Sequence, residues 1–146
     1  MSRPQSTNII HGLVSGLIAG IVFAFMLAEM GMLSVIGKII GLPYPTAGLI
    51  LHLCFSIIIG IFFALIFQKA VRGVWTGLVL GIPYGAIWWA IGPLTLMPLF
   101  LGLPTNWHPA AIATTMPTLA AHLVYGLVLG VVYSWLTRGY HKKHEN

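Results

Sequence analysis

The chain has 146 residues, 58% of them hydrophobic and 6% charged, a net charge of +5 and a mean hydropathy of +0.95. An ordinary soluble domain carries about 25% charged residues, so this composition excludes a soluble globular protein and points to an integral membrane protein. The seven basic residues lie scattered over separate loop ends with no nucleic-acid-binding motif, which sets nucleic acid aside and leaves the lipid bilayer as the partner.

Crossing a hydrocarbon core of about 30 Å takes about 20 mostly apolar residues. Four stretches qualify, at residues 9–33, 46–67, 74–96 and 118–136. The expected fold is all-α, a single domain of four transmembrane helices built as two helical hairpins. The first eight residues lack the small-residue cleavage pattern that follows a signal peptide's apolar core, so the first span is expected to stay in place. That span carries Gly12, Gly16 and Gly20 on one face, and near its end Met26, Glu29 and Met32, also on one face. Glu29 is the single acidic residue in any span and needs a partner, His52 or Lys38, or a proton; otherwise it serves as a proton or cation relay.

The second span holds His52, one helical turn in, Cys54 and Gly60. A lone cysteine makes no intrachain disulfide and reads as a small apolar filler. The third span repeats the glycine spacing with Gly77, Gly81 and Gly85, contains Pro83, where a kink is expected, and Trp88-Trp89, whose buried N–H groups want an acceptor or a cofactor edge. Pro93 should mark the end of regular helix. The connection from Leu96 to Pro117 is apolar, with four prolines that argue against long helix, and is expected to lie on the membrane surface. There Trp107 fits an interfacial anchor, and His108 with Met116 either caps the site or stays solvated. The fourth span holds His122 and Gly130 and ends in a basic tail, residues 139–146.

Two displacements reveal an internal duplication. Shifting by 65 residues lays His11-Gly-Leu-Val-Ser-Gly-Leu-Ile-Ala-Gly20 on Thr76-Gly-Leu-Val-Leu-Gly-Ile-Pro-Tyr-Gly85 and Met32 on Met97, and shifting by 70 lays His52 on His122 and Gly60 on Gly130. Gly41-Leu-Pro43 also reappears as Gly102-Leu-Pro104. Repeat one then covers about residues 9–70 and repeat two about 71–138. Each repeat has an even number of spans, so the halves insert with the same polarity, related by a pseudo-twofold axis along the membrane normal. The glycine stripes suit close helix packing or room for a flat cofactor, and the expected arrangement sets the first and third spans in contact near that axis. Arg3, Lys69, Arg72, Arg138, Lys142 and Lys143 fall on one face against Lys38 on the other. Both termini are therefore expected on the cytoplasmic side of the inner membrane.

The duplication brings His52 and His122 to one depth near the outer side, with Met32 and Met97 beside them. Imidazole with thioether suits reduced copper, and two facing imidazoles suit the axial positions of haem b. Alternatively, each histidine bonds a carbonyl across the bundle and the methionines fill gaps. The run His122-Leu-Val-Tyr-Gly-Leu-Val-Leu-Gly130, the His52 hairpin and the Met-Pro-Leu after the third span resemble a family of small four-span prokaryotic membrane proteins, over most of the chain. Some members occur alongside respiratory terminal oxidases, so the resemblance implies an accessory role; this chain departs from the group's methionine-richer pattern, which weakens a copper assignment. No nucleophile with a base and no pair of neighbouring carboxylates is legible, so the chain is expected not to be an enzyme. Two readings remain: a non-catalytic accessory subunit of a larger redox complex, or of a homo-oligomer, with an outward His/Met site; and a small four-span transporter of a cation or small solute using Glu29 and the paired histidines.

Overall fold

A computed structural model describes residues 4–142, with side chains through 138. Among these residues there are no strands. Four helical stretches are long and apolar enough to cross a membrane: α1 (Gln5–Glu29), α3 (Pro45–Phe67), α4 (Val74–Ile91) continued into α5 (Met97–Phe100), and α6 (Pro109–Lys142). A short helix, α2 (Met32–Gly37), and a 3-10 turn, Lys38–Ile40, follow α1.

Boundaries differ from the sequence reading where the backbone turns sharply. The first span stops at Glu29 rather than Leu33 because Gly31 takes a left-handed conformation, φ 67°, which a glycine adopts without steric cost. The second outer connection is more helical than expected. Pro109 opens α6, where its missing N–H is no loss, and His108 Nδ1 accepts a bond from the Ala111 N–H, so this histidine caps a helix start. Pro117 lies within α6, as prolines do in spans whose freed groups find other partners. Pro83 likewise sits inside a continuous α4.

Each hairpin closes on its own glycines. A Cβ on Gly12 would come 2.7 Å from both the Gly60 carbonyl and Ala64 Cβ of α3, and one on Gly16 would meet the Ser56 carbonyl. Shifted into the second repeat, a Cβ on Gly77 would meet Gly130 and Ser134 of α6, and one on Gly81 would meet Gly126. The same register thus packs both hairpins with backbones touching. The expected contact between the first and third spans is not the one formed: α1 packs on α3 and α6, and α4 packs on α6. The small residues are spent inside the repeats, where the short connections already hold the helices side by side.

The seams between repeats are unequal. α1 and α6 lie close along their length. α3 and α4 meet through large side chains instead: Tyr84 donates to the Ile59 carbonyl at 2.8 Å and its ring packs against Phe63 and Phe67.

The start of α1 and the close of α6 share one end of the bundle. There Asn8 donates to Gln68 at 2.6 Å and accepts from Tyr133 at 3.5 Å, tying α1 to α3 and α6. Of the basic residues, Lys69 and Arg72 lie in the α3–α4 connection and Arg138 near the close of α6, all at this end, while Lys38 is at the other. Arg3 and Lys143 fall outside the described residues, as does the end of the 139–146 tail. Cys54 is exposed on α3, so it faces outward and fills no gap in the core.

Candidate functional site

At the end opposite the termini the four helices splay around a cavity of about 350 Å³. It is walled by α1, α3, α4 and α6 and roofed by α2 and α5. His52, His122, Met32 and Met97 all line it, with Phe23 and Tyr125 among the aromatic residues. Met32 is the first residue of α2 and Met97 the first of α5, so the repeat sets two thioethers at matching places in the roof. The glycines of the duplicated Gly-Leu-Pro motif are both left-handed, Gly41 at φ 74° and Gly102 at φ 70°, and turn the chain back after each roof segment.

The two histidines are equivalent in sequence and different in bonding. His52 Nε2 donates to the Gly20 carbonyl across the hairpin at 3.0 Å, with Ser56 Oγ 3.4 Å from the same nitrogen. Gly20 permits this approach, since a Cβ there would come within 2.7 Å of Ser56 Oγ. His122 Nδ1 donates to the Thr118 carbonyl of its own helix at 2.6 Å. Both rings stand edge-on to Phe23, with centroid separations of 4.9 Å for His52 and 4.6 Å for His122.

This geometry does not fit a haem. A macrocycle held between the imidazoles would need the place Phe23 fills, and the His52 nitrogen nearest α1 is already bonded to a carbonyl. Copper fits the donor types better, through His122 Nε2 and the two thioethers, which are soft or borderline neutral ligands. Among the described residues no group of three or more His, Cys, Asp or Glu is arranged to hold a metal, so any such site would depend on methionine sulfur.

Glu29 is not part of the cavity. It is exposed at the end of α1 and makes no contact with His52 or Lys38, because the turn at Gly31 carries α2 back over the bundle and leaves Glu29 outside. Met116 is exposed, and His108 points into its own helix turn; neither caps the site.

Regular α-helix stops at Ile91, beside Pro93 as the sequence leads one to expect, but the form of the break is not legible there: a π turn, Gly92–Leu96, joins α4 to α5. Pro93 cannot donate a backbone N–H, and the widened turn takes its support from side chains: Thr95 Oγ1 donates to the Ala90 carbonyl at 2.9 Å and Asn106 Nδ2 to the Pro93 carbonyl at 3.2 Å. The turn brings Gly92 beside His122 Nε2. Such turns recur at functional sites. Of the tryptophan pair, Trp89 donates to the Thr115 carbonyl and to Thr118 Oγ1, each at 3.2 Å, while Trp88 lines the cavity.

No protein-family model, no curated protein and no solved structure matches this chain.

Proposed function

We propose that this chain is a non-catalytic binding protein of the inner membrane, accessory to a larger redox complex, and that the cavity at the far end of the bundle is its binding site. With the basic loop ends on the cytoplasmic side, the cavity lies in the outer leaflet. One observation carries the reading: four residues drawn from α2, α3, α5 and α6, at positions 32, 52, 97 and 122, line one cavity. A mostly apolar pocket with a few convergent polar groups is the common form of a small-molecule site. The transport reading has less support, because Glu29, the residue it relies on, stands outside the cavity.

The test is purification from native membranes in mild detergent, with an optical spectrum, metal analysis and mass spectrometry of extracted lipids, for the wild type and for His52→Ala and His122→Ala. The accessory reading expects a larger assembly to co-purify with the chain, and the binding reading expects a bound small molecule or copper that both variants lose. A chain that isolates alone and empty overturns the proposal. A proteoliposome flux abolished by Glu29→Gln would replace it with transport.

A further inference from the structure

We propose that the cavity takes a lipid-soluble molecule whose polar head is an uncharged hydroxyl group, and that this molecule enters sideways from the bilayer between α3 and α4. This rests on reading the cavity as the binding site, and it specifies the ligand's chemistry.

The entrance follows from residues with two faces. Phe55 and Ile58 of α3, Leu96 of the π turn and Phe100 of α5 all line the cavity, yet they are 37% to 55% exposed on the outside of the bundle. The cavity therefore communicates with the lipid-facing surface, along the seam where α3 and α4 meet by side chains rather than by backbone. A molecule dissolved in the outer leaflet reaches it without crossing a polar layer.

The head chemistry follows from an account of donors and acceptors. Around the His122 wall every donor is committed. Tyr125 donates to the Ser56 carbonyl at 2.7 Å, Thr118 Oγ1 to the Thr115 carbonyl at 2.7 Å and His122 Nδ1 to the Thr118 carbonyl, and on the facing wall His52 Nε2 donates to the Gly20 carbonyl. An imidazole that donates through Nδ1 carries its lone pair on Nε2, and no acidic side chain lines the cavity to hold a second proton on the ring. His122 Nε2, beside Gly92, is thus an acceptor with no free donor beside it on its own wall; the Ser56 hydroxyl, 3.4 Å from the donating His52 Nε2, lies buried on the facing wall. A hydroxyl completes it. At His122 Nε2 a carbonyl or ether head would set acceptor against acceptor, and a charged head would find no counter-charge in an apolar surround.

The experiment uses the full chain in phosphatidylcholine nanodiscs, with 4-nonylphenol as the hydroxyl probe and 4-nonylanisole, in which a methyl caps the same oxygen, as its control. Binding is read by equilibrium partition of each probe and by the ¹⁵N resonance of His122 Nε2 in histidine-labelled protein. The expected result is saturable binding of one phenol per chain, about tenfold tighter than the anisole, as one unmade hydrogen bond would give, with the Nε2 resonance moving upfield. In His122→Phe the two probes should bind alike. Leu96→Trp, which fills the entrance without touching His122, should weaken both. Equal binding of the two probes to the wild type, or an unmoved Nε2 resonance, overturns the inference while leaving the cavity a binding site. If neither probe saturates and Leu96→Trp changes nothing, the cavity reading fails with it. The wild-type comparison decides the matter even if His122→Phe does not fold.

Discussion

Asn8 is a polar side chain only 2% exposed inside a membrane helix, held by Gln68 on one side and Tyr133 on the other. Interhelical hydrogen bonds of this kind contribute about 1 kcal/mol each. Asn8→Leu should therefore lower resistance to unfolding in sodium dodecyl sulfate by about 1 to 2 kcal/mol, measured from the loss of helical ellipticity against detergent fraction. An unchanged midpoint would show that Asn8 does not tie α1 to its neighbours. The histidines teach a different lesson at this scale. Their shared depth is visible in the sequence, because a displacement of 70 residues superposes their surroundings. Their bonding is not, because it depends on whether a carbonyl opposite is uncovered. Gly20 leaves its carbonyl open to His52, whereas in the second hairpin a Cβ on Gly85 would press on the His122 backbone, and the ring turns to Thr118 instead.

Among elements, the glycine triplets set how near the helices come. Their spacing makes a close contact foreseeable. The partner is not foreseeable, because an i, i+4, i+8 stripe fits any small-residue face and the second span and the fourth offer such faces too, through Ser56 and Gly60 and through Gly126 and Gly130. In Gly81→Val the new side chain would meet the backbone of Gly126, which cannot move aside as a flexible side chain can. Overpacking of this kind costs about 1 to 3 kcal/mol, and the variant should show a correspondingly lower melting temperature in nanodiscs. Gly41→Ala makes a useful contrast: nothing lies near its Cβ position, and any loss comes from the left-handed backbone alone. Loss of the same size in both variants would argue against close packing as the reason for Gly81. The roof segments were the hardest elements to foresee. Proline-rich apolar stretches read as surface loops, yet Pro109 starts a helix and Pro93 sits in a π turn whose supporting donors, Thr95 and Asn106, come from positions with no regular spacing.

For the whole molecule, the four-span hairpin architecture was legible from hydropathy and from the repeat, since lipid forces backbone polar groups to be satisfied within each span. Sidedness is a separate matter that the basic loop ends predict. With Cys54 replaced by serine, single cysteines introduced as Arg72→Cys or Lys38→Cys should react differently with a membrane-impermeant maleimide added to intact cells: Lys38→Cys is labelled, and Arg72→Cys only after permeabilisation. The reverse pattern would place the cavity in the inner leaflet. α6 adds a feature of scale. Its 34 residues extend about 50 Å at 1.5 Å per residue, well beyond a hydrocarbon core of about 30 Å, so part of it must stand in headgroups or water.

The unequal seams have a mechanical consequence. Two of the four lateral joints in this bundle, α1 on α3 and α4 on α6, are backbone against backbone and stiff, and α1 lies close on α6; the joint of α3 with α4 is a zipper of rings around Tyr84, and rings can slide where glycines cannot. Compliance is therefore concentrated along one line, so a change in lateral pressure or bilayer thickness would strain that line first and widen or pinch the doorway there, while the tighter joint of α1 with α6 acts as the spine.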